Sequence, residues 1–310
     1  MIKPSIKPLS ALLASLLLLA ACKNTQPGDE PAAPRRIVAV GDLHGDLNAT
    51  RRALRLAGAI DAQDRWIGKD LILVQTGDQL DRGDEELAIL KLLEGLAPQA
   101  EAAGGRLHVL NGNHEIMNVE LDFRYVTPHG FSSFAGLAGL DLKQPRLAPL
   151  PEFARPRAAA FAPGGPLARQ FAQRPVILQL DGNLFAHGGV LPEHLSYGIE
   201  EVNLAYSKWL KGELAQLPPL LSGDQSPIWS RTWSDTATAP DCARLAQTLT
   251  QAEAKRMIVG HTVHGQINSA CQDKVWRIDV GMAKAYGGPV QVLEIQGDRL
   301  RVLSEGPVKD

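Results

Sequence analysis

Five short apolar runs in this sequence each end in a glycine beside Asp, Asn or His. Gly41-Asp42-Leu43-His44-Gly45 follows residues 37–40, and Gly77-Asp78-Gln79-Leu80-Asp81-Arg82-Gly83 follows 71–75. Gly112-Asn113-His114-Glu115 follows 107–110, His187-Gly188-Gly189 follows 184–186, and Gly260-His261-Thr262 follows 257–259. Glycine permits a sharp turn and lets backbone come close to a ligand. Asp42, His44, Asp78, Asn113, His187 and His261 offer oxygen and nitrogen donors and no thiolate. Such a set suits divalent Mn, Fe or Zn rather than a structural cysteine site. Six donors exceed the needs of one catalytic metal with open positions; they suit two ions roughly 3.5–4 Å apart, bridged by a carboxylate and a hydroxide.

Groups so far apart in sequence must be brought together by a regular framework. Further apolar runs at 176–180, 275–278 and 290–295 join those above, and most are continuous rather than alternating. That pattern belongs to strands buried on both faces. Asp181-Gly182-Asn183 and Gln296-Gly297-Asp298 read as hairpin turns. Amphipathic stretches at 47–57, 85–96, 199–217 and 243–255 read as helices, with Asp46 and Asp84 at N-cap positions. Strands alternating with helices predict an α/β fold, in which ligands gather at the carboxyl ends of the strands. Residues 127–175 are rich in Pro, Ala and Gly, lack periodicity, and read as a lid-like insertion in a catalytic domain spanning 36–310.

The ordered set GDxHG, GDxxDRG, GNHE, HGG and GH resembles the phosphoprotein phosphatase family of calcineurin-like metallophosphoesterases, from about residue 36 to 288. The resemblance implies two mixed β-sheets packed as a sandwich, flanked by helices, with a bimetal site at one edge. It implies that Asp42 and His44 hold one metal, that Asp78 bridges, and that Asn113, His187 and His261 hold the other. His114 would protonate the leaving oxygen, oriented by Asp81. Arg82 would clamp phosphate oxygens with its planar fork. Arg231 is the candidate for a second phosphate-binding arginine, in an Arg-Thr pair where the family often has Arg-Gly. Asn113 counts toward substrate binding as well, and Tyr286 would either reach the phosphate or close the pocket. The implied reaction is hydrolysis of a phosphate monoester by direct attack of a metal-bridging hydroxide.

The leucine of GDQLDRG and the stretch 277–288 are similar to the Shewanella-like protein phosphatases, a group associated with phosphotyrosine. A phosphorylated protein or small phosphoester is the expected substrate. Two other functions share these residues. One is a dinucleoside polyphosphate pyrophosphatase; the other is a non-catalytic phosphate-binding module, against which the intact ligand set and general acid count.

The remaining candidates have plainer readings. Glu115 and Asp279 are expected to support the ligands by hydrogen bonding. His108 reads as a strand residue, His129 and His194 as solvated loop residues, and His264 as structural, its spacing from His261 being longer than in GHTH phosphoesterases.

Composition sets outer bounds. The chain has 310 residues, 45% apolar and 21% charged, with a net charge of −2. The balance is that of a globular protein, and the absence of a basic excess argues against a nucleic-acid binder. Lys3 and Lys7 precede an apolar stretch, 9–21, shorter than the roughly 20 residues that span a bilayer. It reads as a secretory leader. Its end, Leu19-Ala20-Ala21-Cys22, resembles a bacterial lipobox, which implies cleavage after residue 21 and membrane anchoring through acylated Cys22 on the periplasmic side. The alternative is a soluble exported chain. Residues 22–35 read as a flexible tether. Export permits Cys242 and Cys271 to form a disulfide, the other possibility being two free buried thiols.

Overall fold

The apolar runs form two mixed five-stranded sheets in the computed structural model, which describes Met1 and residues 34–305. The secretory leader, Cys22 and residues 23–33 of the tether lie outside the described residues. The first sheet holds β1 (Arg36–Val40), β2 (Ile72–Gln75), β3 (Arg106–Val109), β9 (Gln291–Gln296) and β10 (Arg299–Ser304). Its order is β10-β9-β1-β2-β3, with β1, β2 and β3 parallel and β9 and β10 antiparallel. The second holds β4 (Ile177–Leu180), β5 (Asn183–Ala186), β6 (Arg256–Val259), β7 (Asn268–Ala270) and β8 (Val275–Arg277). Its order is β4-β5-β6-β8-β7, with a parallel centre and antiparallel edges. The edge strands β7 and β10 lack the continuous apolar run of the others, and sequence pattern alone does not pick them out.

Alternation along β5 and β6 shows how the sheets stack. Phe185 and Ile258 share a core with Val38, Leu73 and Leu293 of the first sheet. Their neighbours Leu184, Ala186, Met257 and Val259 face the other way, into a second core with Phe161, Tyr206 and Leu245. Successive strand residues point to opposite faces, so the second sheet is covered by the first on one side and by helices on the other. Burying a side chain such as Phe185 contributes about 1.5–3 kcal/mol.

Nine α-helices lie among the described residues: α1 (Leu47–Leu56), α2 (Glu86–Ala102), α3 (Asn113–Val119), α4 (Pro128–Ser132), α5 (Arg155–Phe161), α6 (Pro166–Phe171), α7 (Pro192–Tyr197), α8 (Ile199–Leu210) and α9 (Ala239–Gln251). Asp46 caps α1 as expected, accepting from the Ala49 N–H at 2.8 Å. Asp84 does not cap α2; its carboxylate instead accepts from the Thr127 hydroxyl at 2.6 Å. Helix α2 continues past the predicted stop at residue 96 and through Pro98, because Leu96 and Ala100 keep its buried stripe on the core. Helix α8 stops at Leu210 rather than at 217, where Gly212 takes a left-handed φ of 78° and donates back to the Trp209 carbonyl. That is a glycine C-cap. Helix α9 starts four residues earlier than expected, since Thr238 and Asp241 cap its first turn reciprocally.

The 127–175 segment carries α4, α5 and α6, and Phe134, Ala158, Phe161 and Phe171 on it are fully buried. Its helices are five to seven residues long, too short to display a helical period in sequence. Cys242 and Cys271 form a disulfide that ties α9 to the turn after β7.

Candidate active site

Each predicted loop follows the carboxyl end of a strand: β1, β2 and β3 of the first sheet, β5 and β6 of the second. These turns are tight enough that non-glycine residues adopt left-handed backbone. His44 (φ 44°), Asp78 (57°), Asp81 (66°), Arg82 (64°) and His261 (70°) all do so. Such conformations cost energy and cluster at functional sites. Two glycines are required by close approach. A Cβ on Gly112 would lie 2.2 Å from Asp78 Oδ1, and one on Gly260 would lie 2.4 Å from Asp42 Oδ1. The Leu43 and His44 N–H groups donate to the Asp78 carbonyl at 2.9 and 3.0 Å, locking the first two loops together.

The loops converge on the Asp78 carboxylate. Its Oδ1 accepts from the His114 N–H at 3.0 Å. That leaves Oδ2 facing three rings: His187 Nε2 at 3.2 Å, His44 Nε2 at 3.8 Å and His114 Nε2 at 3.8 Å. Two groups sharing Asp78 have the spacing to hold a metal, His44–Asp78–His114 and Asp78–His187–His261. Asp42 Oδ2 lies 3.8 Å from His44 Nε2, and Asn113 Oδ1 lies 2.8 Å from His187 Nε2. All six expected ligands are therefore brought together, and all six are buried. The rings are aimed by backbone: His44 Nδ1 pairs with the Leu80 carbonyl, His187 Nδ1 with Thr76, and His261 Nε2 with Trp229. Each keeps its other nitrogen for the centre, as metal-binding imidazoles do. Behind Asp78, Glu115 accepts from the N–H groups of Gly112, Asp78, Gln79 and Leu80 at 2.7–3.3 Å.

The electrostatics fit divalent cations. Burial lowers His44 to about 4 and His261 to about 2, so both are neutral imidazoles with a lone pair to donate. Burial, then the carboxylates of Asp279 and Asp78, raise Asp42 well above the ordinary range. Burial also works against Asp78, but the neighbouring His187 and His114 rings outweigh it and hold the carboxyl well below. Asp279 Oδ1 accepts from Gly281 N–H, while its buried Oδ2 has no hydrogen-bond partner among the described residues. Crowded buried carboxylates beside bare imidazole nitrogens are a site short of positive charge, which a metal ion supplies.

At one end of the centre His114 Nδ1 lies 2.6 Å from Asp81 Oδ2, which leaves Nε2 toward Asp78. The Arg82 guanidinium lies 4.2 Å from the Tyr125 ring centroid and 5.0 Å from that of Tyr286. Those rings also stand 5.2 Å from His114 and 5.3 Å from His44. Arg231 stands at the opposite end, donating to the His261 carbonyl and the Thr262 hydroxyl. A cleft of about 900 Å³ opens beside His44 and Arg82, with Arg52, Lys284, Asp46 and Glu85 on its walls.

One expectation is corrected here, and the structural reading of His264 holds. His194 is fully buried at the start of α7, where Nδ1 accepts from the Leu191 N–H, rather than solvated in a loop. His264 Nε2 is taken by the Ser234 carbonyl at 2.7 Å and stands outside both metal-sized groups. Sequence reading missed Tyr125, Asn118 and Arg157. Asn118 lies one helical turn after His114 and donates to Asp81 Oδ1 at 3.0 Å, a spacing that could have found it. Arg157 and Tyr125 have no such local signal.

The family model for calcineurin-like phosphoesterases matches residues 35–265. Shewanella-like protein phosphatase 2 of Arabidopsis thaliana is 42% identical over 308 residues, covering 89% of this chain and 79% of the relative. Shewanella-like protein phosphatase 1 of Plasmodium berghei is 29% identical, covering 82% and 69%. Among solved structures, the cold-active protein-tyrosine phosphatase of a psychrophilic Shewanella species superimposes with a TM-score of 0.71 at 25% identity, covering 87% of this chain and 77% of that one. With its motifs gathered at one centre and matched along most of its length, the chain belongs to the calcineurin-like phosphoesterases, among the Shewanella-like protein phosphatases, and is a metal-dependent hydrolase of phosphate esters.

Proposed function

We propose that this phosphatase acts on phosphoproteins and favours phosphotyrosine. The observation that supports the preference is the pair of aromatic walls, Tyr125 and Tyr286, on either side of the Arg82 guanidinium. A phosphate held by Arg82 brings its ester group between these rings, where an aryl group gains stacking contacts that an alkyl group lacks. The relation to a solved protein-tyrosine phosphatase points the same way.

Asp42, His44 and Asp78 would hold one divalent metal; Asp78, Asn113, His187 and His261 would hold the second. When bound, the two ions lower the pKa of a coordinated water and draw charge from the phosphate oxygens. The protein residues do the rest. Arg82 and Arg231, at opposite ends of the centre, clamp equatorial oxygens and stabilise the charge that builds on them. Asn113 serves the substrate as well as the metal. His114 donates a proton from Nε2 to the leaving oxygen, and Asp81 holds the ring through Nδ1. Asp81 has no proton to give while it accepts from His114, so its part is orientation. His114 also stands in one metal-sized group. Its 2.6 Å bond to Asp81 favours the acid role, and metal content of His114→Asn distinguishes the two: an acid leaves both metals bound.

The substrate reading is tested with paired peptides carrying phosphotyrosine or phosphoserine in one sequence, after stripping metals and restoring Mn. A kcat/KM for phosphotyrosine at least about tenfold higher, the worth of an aromatic contact of roughly 1.4 kcal/mol, is expected. Equal rates would remove the preference. Faster turnover of a dinucleoside polyphosphate than of either peptide would replace the substrate class.

The same proposal extends to location: export, acylation at Cys22 and attachment to the periplasmic face of a membrane. The Leu19-Ala20-Ala21-Cys22 stretch and the Cys242–Cys271 disulfide, which suits an oxidising compartment, support it. Mass spectrometry of the mature N-terminal peptide decides it; an unmodified Cys22 would sink the anchor.

A further inference from the structure

Arg157 on α5 is fully buried, and every donor of its guanidinium is used. Its Nε donates to Asn118 Oδ1 at 2.8 Å. One terminal nitrogen donates to Glu86 Oε2 and to the Gly130 carbonyl. The other donates to Glu86 Oε1 at 2.9 Å and to Asp81 Oδ1 at 3.0 Å. Five N–H groups meet five acceptors, the full capacity of an arginine. Phe134 and Phe161 close over the plane at 4.9 and 5.2 Å.

The consequence for Asp81 is that nothing about it is free. Oδ1 accepts from Arg157 and from Asn118, and the backbone N–H donates to Glu86. Only Oδ2 is left, and it points at His114 Nδ1. Removing Arg157 would leave Asn118 as the single side-chain donor to Oδ1, loosening the carboxylate about χ2 and with it the His114 ring. Glu86 compensates the arginine's charge and Asn118 links it to α3, so the assembly is set by geometry rather than by charge alone.

We propose that Arg157 is a positioning residue for the general acid: it locks Asp81 so that His114 Nε2 meets the leaving oxygen, and it makes the packing of the 127–175 segment a condition of proton delivery. This rests on the reading of His114 as the acid. A bidentate, fully subscribed arginine is not replaceable by lysine, which has three donors and no fork.

The test is the dependence of kcat/KM on the leaving group, measured with the full metal-loaded chain on 4-nitrophenyl, phenyl and 4-methylphenyl phosphates. 4-Nitrophenolate leaves readily without a proton; phenolate and 4-methylphenolate do not. Arg157→Lys is the first variant. Arg157→Met with Glu86→Gln is the second, charge-balanced in case the first does not fold. Thermal unfolding and metal content are recorded for each. General acid catalysis supplies 10²–10⁴-fold, so partial misalignment is expected to slow phenyl phosphate roughly tenfold or more and 4-nitrophenyl phosphate less than about threefold. A parallel fall across all three esters, or none, in a folded variant holding both metals would overturn the inference, because a merely structural arginine does not discriminate leaving groups. His114→Asn separates the two levels. If it steepens the dependence and the arginine variants do not, only the positioning role falls. If His114→Asn leaves the dependence flat, the acid assignment falls and takes this inference with it.

Discussion

The two sheets make unequal contributions to the centre. Loops of the first sheet bring Asp42, His44, Asp78, Asp81, Arg82, Asn113 and His114; loops of the second bring His187, His261 and Asp279. The first half alone gathers the buried carboxylates of Asp42, Asp78 and Asp81 around the rings of His44 and His114. Across the interface, the His187 imidazole is the strongest single influence offsetting burial at Asp78. Stacking of the sheets and ionisation of the bridging carboxylate are therefore coupled: the first sheet carries one metal-sized group by itself, and the second group exists only where the sheets meet.

The two halves are most vulnerable at the residue they share. Asp78→Asn weakens both groups at once, and phosphatase activity should fall on the order of a thousandfold, matching the several kcal/mol that metal charge supplies. Elemental analysis should show loss of both metals; retention of activity would show that the centre does not depend on the bridge. Substitution on one side only should be gentler. His187→Ala removes one of the second sheet's two imidazoles, His261 being the other, and the protein is expected to keep a single metal while unfolding as before. Two metals per chain in that variant would contradict the assignment.

Behind the first sheet's loops, Glu115→Gln replaces an acceptor-only carboxylate that serves four N–H groups with an amide that brings donors of its own. Metal affinity should drop by roughly 10–100-fold, as for other groups that orient ligands, and a competition titration with a chelator measures it. The converse case is Cys242→Ser, which touches only the second sheet's periphery. It should lower stability by about 2–4 kcal/mol in denaturant unfolding and leave kcat unchanged.

The smallest effect concerns His194. Burial lowers it from near 6.5 to about 4. The folded state then binds fewer protons than the unfolded one between those values. Its contribution is intact above pH 6.5 and is lost as pH falls toward 4. His194→Asn should flatten that part of the Tm-versus-pH curve; an unchanged slope would place the dependence elsewhere.

Legibility followed the same division. The five metal-loop motifs are local, each a few residues long beside a strand, and the sequence names the six side chains that the fold gathers around Asp78; His114, read as the acid, joins one metal-sized group as well. Strands with continuous apolar runs were found to within a residue or so. Helix ends were less legible, because they depend on caps such as Thr238 and on whether a stripe such as Leu96 and Ala100 keeps packing beyond a proline. Arg157 could not be read at all. It lies 76 positions from Asp81, on a helix of seven residues, and its meaning is wholly in partners that the fold supplies. His194 failed for a related reason: a histidine in a polar stretch is buried here by the tertiary packing of α7, not by its neighbours in sequence.

The left-handed backbone at His44, Asp78, Asp81, Arg82 and His261 has a further consequence. Strain of this kind costs of order 1–3 kcal/mol per residue, and glycine at any of the five would relieve it. Side chains that serve the centre thus stand where glycine would be more stable, a stability–activity trade-off concentrated in a few turns. Ligand binding restores part of what the turns give up, since ions that bind only the folded chain shift its unfolding equilibrium by mass action. The metal-free protein is accordingly expected to unfold more readily than the metal-loaded one, so the same ions that serve the reaction also hold the turns in place.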